Sequence, residues 1–178
     1  MVPAGGNTKT ASEEIQKQVT ALGDPSVDRR HEAVSALKGM GEPAVAVLIS
    51  AIADARDNDC RWYAAVALSR IGQPAVTPLV AAMKVNTSRE FRRYAAAALG
   101  EIGVPAIDAL IDGMGSDDPV LRGFLSQALC RIGKPAVEPL TLRLGDANGT
   151  IRQCATLTLW QMGETGLPSM IEKVQDEK

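Results

Sequence analysis

Apolar residues recur along the chain with the spacing of an amphipathic helix, and the pattern returns every 30 or 31 residues. Each copy ends at a glycine, and we number positions by their distance from it. Leucine always stands at −4, and −12, −8, −5 and −1 are mostly apolar. These positions form one stripe of a helix with 3.6 residues per turn. The pattern predicts a helix, the first helix of each repeat, before Gly41, Gly72, Gly103, Gly133 and Gly163.

A second helix is predicted after each glycine. Glycine is favoured where a helix ends in a left-handed cap, and proline is favoured in the first turn of a helix. Prolines follow two residues after four of the glycines, and Thr165 takes that place in the last copy. The expected second helices, each with an apolar stripe, are Ala44–Ala53, Ala75–Met83, Ala106–Met114, Ala136–Leu144 and Gly166–Val174.

Each repeat is therefore predicted to be a pair of antiparallel helices that stacks on its neighbours. Ser12–Leu22 is expected to be a half-repeat that caps the front of the array, with Ser12 as its N-cap. The fold class is all-α: a right-handed α-solenoid of about five two-helix repeats, with about eleven helices. We expect a flexible tail over residues 1–10 and a single repeat array over residues 11–178.

Composition narrows the possible functions. The net charge of −2 gives no general attraction to nucleic acid or to an anionic membrane. Neither a spanning apolar run nor a secretory leader is visible in the sequence, so no membrane partner is expected. Cys60, Cys130 and Cys154 lie inside apolar-periodic segments and are predicted to be buried thiols in a reducing compartment, which indicates the cytoplasm.

Arginine occupies position −11 of every repeat: Arg30, Arg61, Arg92, Arg122 and Arg152. Acidic residues lie in the turn before each arginine. We expect a structural ladder in which these arginines bind carboxylates and helix-end carbonyls. A nucleic-acid groove would need a much higher positive charge than this chain has.

The segments "NDCRWYAAVALSRIGQPAVTPL" and "DDPVLRGFLSQALCRIGKPAVEPL" resemble the short HEAT-like repeats of the phycobilisome-lyase type. The family pattern is an acidic turn, V-R-x-x-A-x-x-A-L-x-x-I-G and then x-P-A-V-x-x-L, and the resemblance covers about residues 12–175. It implies that the arginine-bearing first helices line a concave face. Members of the family mostly bind other proteins, while a few are bilin lyases or deoxyhypusine hydroxylases.

The single histidine, His31, is followed by Glu32. In deoxyhypusine hydroxylase several repeats carry His-Glu pairs at this place, and together they hold a di-iron site. The matching positions here hold Trp62-Tyr63, Arg93-Tyr94, Gly123-Phe124 and Gln153-Cys154. One pair supplies at most two ligands, and adjacent helical residues diverge by about 100°. We therefore expect no metal site, and two polar residues on an exposed helix face.

Aromatic residues gather at −10 and −9. Trp62 at −10 faces away from the apolar stripe and is predicted to be exposed, and Trp160 at −3 is also predicted to lie on the polar side of its helix. Tyr63, Tyr94 and Phe124 share position −9, beside the stripe. Exposed aromatic side chains are favoured anchors in protein interfaces. The alternative is that position −9 packs into the neighbouring repeat and is core.

No nucleophile–base pair or phosphate loop is visible, and no catalytic residue or cofactor is predicted. The sequence favours a non-enzymatic scaffold, a monomer or weak homo-oligomer, that binds a partner protein on its concave face. The alternative is a bilin lyase-type subunit or a chaperone acting on a phycobiliprotein; a third is an iron-dependent deoxyhypusine hydroxylase-like protein. The expected partner-binding residues are Trp62, Tyr63, Arg93, Tyr94, Phe124, Gln127 and Arg131.

Overall fold

The computed structural model describes residues 6–176, and the regular elements within them are all helical. Six short 3-10 turns accompany eleven α-helices. The α-helices are α1 (Gly6–Ala21), α2 (Val27–Met40), α3 (Val45–Asp54), α4 (Asn58–Ile71), α5 (Val76–Val85), α6 (Arg89–Ile102), α7 (Ile107–Gly113), α8 (Pro119–Ile132), α9 (Val137–Leu142), α10 (Gly149–Gln161) and α11 (Leu167–Asp176).

The chain forms two compact units, Met1–Pro78 and Leu79–Lys178. In the first unit α2 packs on α4, and α1 packs against α2 and α3. In the second unit the first helices α6, α8 and α10 lie side by side, and the second helices α7, α9 and α11 form the facing layer. Each unit thus buries apolar surface between two helix layers. The predicted all-α fold of paired, stacked helices is confirmed.

The front of the chain differs in detail from the sequence prediction. Helix α1 begins at Gly6, so Ser12 lies inside the helix and not at its N-cap. Of the tail predicted for residues 1–10, residues 1–5 lie outside the described part of the chain, and the rest belong to α1.

Among the described residues, none of the helices alone has the length and apolar character of a membrane span; only α2 with α3, bent by 119°, meets those criteria as a pair.

Four of the five first helices end at a glycine whose backbone conformation only glycine adopts readily, whereas α10 ends at Gln161 and the predicted cap, Gly163, lies in the 3-10 turn that follows. Gly103 has φ 79° and ψ −136°, and Gly41, Gly72 and Gly133 are within about 12° of it. The φ angle is positive, as predicted, but ψ is far from the left-handed helical region. The Gly103 N–H donates to Leu99 O at 3.2 Å, and the Gly103 carbonyl accepts from Ala106 N–H at 2.9 Å. The glycine therefore closes one helix and opens the next.

The prolines that follow these glycines lie in 3-10 turns and not in the first turns of the second helices. They are Pro43, Pro74, Pro105 and Pro135. Residues 42–44, 73–75, 104–106 and 134–136 each form a three-residue turn, and the second helix starts at the next residue. Since proline lacks an N–H, it fits where no backbone donor is needed. The predicted second helices therefore begin one residue early.

The invariant leucines at −4 form the centre of both units. All five are fully buried: Leu37, Leu68, Leu99, Leu129 and Leu159. Position −7 was missing from the predicted stripe but is buried in four repeats, while −1 is only half-buried. The neighbouring first helix covers position −7, so the buried face is wider than one amphipathic stripe.

In four repeats the arginine at −11 joins the first helix to the end of the preceding second helix or to the loop after it. Arg92 is 1% exposed; its Nε donates to the carbonyls of Met83 and Asn86, both at 3.0 Å. Its Nη1 lies 2.7 Å from Asp118 Oδ2 in the next repeat. Carbonyls at a helix C-terminus lack partners inside the helix, and a cation there is stabilised by the helix dipole.

The other four arginines make related contacts. Arg30 Nη1 binds Asp59 Oδ2 at 2.9 Å in the next repeat. Arg61, Arg122 and Arg152 donate to carbonyl oxygens of the preceding helix or loop, of Ile52 at 3.3 Å, Ser116 at 2.7 Å and Asp146 at 2.6 Å respectively. Four of the five position −11 side chains thus satisfy backbone carbonyls that the helix ends and loops leave open, whereas Arg30 pairs with a carboxylate.

A column of N-caps at −15 completes this joint. Asp57, Ser88, Asp118 and Asn148 each accept a hydrogen bond from a backbone N–H in the first turn of the helix that follows. Asp118 accepts from Val120 and Leu121, at 2.9 and 3.1 Å. The Leu121 N–H, together with the Arg92 guanidinium, lowers the pKa of the Asp118 carboxyl.

Two neighbouring glycines of the first unit allow a matched test of the turn. Gly41→Ala is expected to destabilise by about 2 kcal/mol, because alanine is strained at positive φ although space for its Cβ is open. Gly39→Ala, also with open space, is expected to stabilise by about 0.5 kcal/mol, because alanine is the better helix former. Urea unfolding followed by circular dichroism measures both changes, and equal effects would contradict the role of the turn.

The buried arginine and its exposed neighbour give a second matched pair. Arg92→Met should lower the free energy of unfolding by about 3 kcal/mol, because Asp118 and two carbonyls lose a buried partner. Arg93→Met, one residue on and exposed, should change it by less than about 0.5 kcal/mol. Chemical unfolding of both variants decides; similar losses would mean that the ladder is not a main source of stability.

Asp118 should make stability depend on pH. Its pKa is lowered on folding, so its stabilisation is present above the unfolded value near 4 and is lost as the pH falls through the folded pKa. Asp118→Asn keeps an N-cap side chain but cannot titrate. We expect the wild type to lose more stability than the variant between about pH 5 and pH 2.5. Parallel pH curves for the two proteins would contradict this assignment.

Candidate functional site

In the first unit, the surface of the first helices carries an exposed tryptophan above a packed tyrosine. Trp62 is 47% exposed, which confirms the predicted exposure. Tyr63 is half-buried beside it in sequence. The Arg30 guanidinium lies 4.8 Å from the centroid of the Tyr63 ring, and the His31 ring meets that ring edge-on at 5.6 Å. Tyr63 is therefore held by cation–π and aromatic contacts, and Trp62 is the side chain that this surface presents outward.

His31 and Glu32 are both exposed, as predicted for polar residues on an open helix face. The structure adds the contact between His31 and Tyr63, which the sequence did not predict. Within residues 6–176, the described His, Cys, Asp and Glu side chains form no group of three or more that could hold a metal ion.

In the second unit, α6 and α8 present two outward rows at four-residue spacing. The α6 row is Arg89, Arg93, Ala97 and Glu101, and the α8 row is Pro119, Gly123, Gln127 and Arg131. Residues four apart lie on one helix face. Of the predicted partner-binding residues, Arg93, Gln127 and Arg131 come together here, and all three are exposed.

The aromatic residues at −9 do not share one environment. Tyr94 is only 9% exposed, because α8 packs against α6 and covers this side of the helix. The Arg93 guanidinium lies 5.0 Å from the Tyr94 ring centroid. Phe124 is half-buried. Tyr94 therefore fits the alternative prediction, in which position −9 is part of the core. Its ring also supports the exposed Arg93 side chain through the cation–π contact.

A glycine in α6 positions Arg131. Gly100 is buried, and a Cβ there would lie 2.7 Å from Arg131 Cδ, so only glycine lets this side chain lie against α6. The Arg131 guanidinium then reaches Glu101, with Nε and Nη2 at 2.7 and 2.6 Å from Oε1. At the other end of the row, Arg93 Nη2 lies 3.4 Å from Glu90 Oε1.

Between the two rows runs a trough, which we define by Arg89, Arg93, Ala97, Gly123, Gln127 and Arg131. It consists of two depressions of about 290 and 280 Å³ that meet at Gln127. Its floor is formed by small side chains such as Ala96 and Ala128. Arg89, Ala97 and Gly123 were not among the predicted site residues, although their four-residue spacing from Arg93 and Gln127 was visible in the sequence.

A polar cluster lies between α8 and α10. Ser126 and Thr158 are buried, with their hydroxyl oxygens 2.8 Å apart, and Ser126 donates to Gln161 Oε1 at 3.0 Å. These groups satisfy one another, so the cluster is a structural contact between repeats.

The three cysteines are free and half-buried, and so are less enclosed than predicted. Burial raises the pKa of the thiols of Cys60, Cys130 and Cys154, which keeps them protonated near neutral pH. A protonated thiol is a poor nucleophile. Arg61, next to Cys60, does not reverse the effect of burial.

A larger groove, of about 690 Å³, lies between α9 and α11 on the second-helix side. Glu138, Glu164 and Glu172 line it together with Lys134. The lining of this groove is mostly acidic, whereas the trough is lined by arginines.

Trp160, at −3 in α10, is exposed as predicted.

The solved structures to which this chain is similar include two complexes. One is the complex of CpcE and CpcF of phycocyanin lyase from Nostoc sp. PCC7120, with 22% identity, 83% of this chain and 98% of that chain covered, and a TM-score of 0.43. The other is a designed armadillo repeat protein in complex with the peptide (KR)4, with 18% identity, 89% and 91% covered, and a TM-score of 0.33. No curated protein sequence matches the chain.

A family model described as HEAT repeats matches residues 15–100 and 76–160. The two matches together run from α1 into α10, and they include the glycine turns, the −4 leucines and the arginine ladder described above. They cover well over half of the chain. The chain belongs to the HEAT repeat family.

Proposed function

We propose that this protein is a non-enzymatic scaffold that binds a partner protein through the surface of its first helices. The observation that carries the proposal is Trp62, which is 47% exposed on a helix whose other face is core. A large aromatic side chain in water is costly unless it is covered in a complex, and tryptophan is enriched among residues that dominate binding energies.

Polar residues on the first helices of the second unit would add specificity. Arg93, Gln127 and Arg131 are exposed on helices that the −4 leucines fix from below. Arg131 is further oriented by Gly100 and Glu101, and Arg93 by the Tyr94 ring. Side chains held in this way lose little conformational entropy on binding.

The groups described above favour binding over catalysis. The thiols are protonated because burial raises their pKa, and His31 packs against Tyr63 without a described carboxylate or nucleophile partner. The depressions beside Phe124 and Arg93, of about 280 and 290 Å³, lie at the lower limit for small-molecule pockets. Their size favours a protein segment over a tetrapyrrole. The proposal includes a cytoplasmic location, no cofactor, and a monomer or weak homo-oligomer.

The test is affinity capture from a lysate of the native organism, followed by titration of the purified chain with the captured partner. Trp62→Ala should weaken binding about tenfold or more, because a buried aromatic anchor is lost. Leu142→Ala removes an exposed apolar side chain from the second-helix side and should leave binding unchanged.

Two outcomes would contradict the proposal. Loss of binding in Leu142→Ala but not in Trp62→Ala would move the interface to the second helices. A coloured tetrapyrrole that elutes with the chain, without a stoichiometric protein, would favour the bilin lyase-type alternative.

A further inference from the structure

We infer that the trough between α6 and α8 takes an extended, acidic segment of the partner protein. This inference rests on the proposed function and specifies the chemistry of the partner at one part of the surface. Three arginines, Arg89, Arg93 and Arg131, line the trough. Within the described chain, neither depression of the trough is lined by an acidic residue, although the chain as a whole has a net charge of −2. The local charge is therefore complementary to carboxylates.

The arginines keep donors for a partner. A guanidinium has five N–H groups, and the pairs with Glu90 and Glu101 use Nη2 of Arg93 and Nε and Nη2 of Arg131. Both pairs are about half exposed on each side, and such pairs contribute about 0–1 kcal/mol. A partner carboxylate can thus bind beside the internal carboxylate or replace it, in bidentate geometry.

The dimensions of the trough fit an extended peptide. The α8 residues that line the two depressions run from Pro119 to Arg131, twelve helical steps that at 1.5 Å each span about 18 Å. An extended chain rises about 3.3 Å per residue, so about five or six residues fill it. The floor of alanine and glycine lets a backbone approach closely, and the Gln127 amide at the centre can both donate to and accept from that backbone.

The probe is a fluorescein-labelled peptide, (Glu-Ser)4, with (Gln-Ser)4 and (Lys-Ser)4 as matched controls. Fluorescence anisotropy with the full chain at low salt should show binding of the acidic peptide only, and the affinity should fall as salt is added. Arg93→Gln with Arg131→Gln should weaken binding about tenfold, as expected when two charge-assisted contacts are lost.

Two variants make the test specific to the trough. Arg56→Gln with Arg70→Gln removes the same charge from exposed positions of the first unit and should leave binding unchanged. Glu101→Gln removes the internal competitor of Arg131 and should tighten binding about threefold. A merely structural role of the arginines would not produce this gain.

Several results would overturn the inference. They are equal binding of (Gln-Ser)4, preference for (Lys-Ser)4, an equal loss in the Arg56 and Arg70 variant, or tighter binding of an eight-nucleotide oligothymidylate. None of them bears on Trp62. If a captured partner needs Trp62 but not Arg93 or Arg131, the proposed function stands and the inference of an acidic segment is wrong. If neither Trp62→Ala nor the arginine variant weakens binding, both proposals are wrong.

Discussion

The glycine turn is the constraint on which the rest of this fold depends. Its combination of positive φ with ψ near −137° is open to glycine and strained for other residues, so the chain reverses at one defined residue in each of the first four repeats. The turn donates to the carbonyl of the −4 leucine and accepts from the alanine three residues on. Because that leucine is also fully buried, the turn and the core fix each other. Stacking of similar helix pairs then follows, since each pair leaves apolar surface that a neighbouring pair must cover.

The arginine ladder solves a problem that the stacking creates. Loops that follow the second helices are covered by the next repeat, and their carbonyls would be buried without partners. A long side chain with five donors reaches several of them at once, as Arg92 does with Met83, Asn86 and Asp118. Burying a charge is costly, but here it meets a carboxylate and two carbonyls. The same residue type at −11 is thus a consequence of backbone geometry and carries no information about a ligand.

Much of this could be read from the sequence, because it repeats. The sequence predicts the period, the paired helices, the burial of the −4 leucines and the exposure of Trp62. At such positions the side chain faces either the core or solvent, and its spacing along the helix is enough to tell which. Position −9 could not be assigned in this way. It lies at the edge of the stripe, and whether it is core depends on how closely the next helix packs, so Tyr94 is buried while Tyr63 and Phe124 are half-buried. The role of Gly100 was equally hidden, because its neighbour Arg131 lies 31 residues away in the chain.

The outward rows of the first helices are the positions that neither the turn nor the ladder constrains, and their chemistry differs between the units. In the first unit, the α4 row places Trp62 and the half-buried Val66 between Asn58 and Arg70; in the second, α6 and α8 present arginines around Gln127. Apolar burial is insensitive to salt, whereas guanidinium–carboxylate contacts are screened by it. Under the proposed function, Trp62 would supply mainly affinity, and the arginines of the second unit would supply mainly discrimination. Because these rows lie on helices whose opposite faces are core, neither unit needs a loop of its own to present them to a partner.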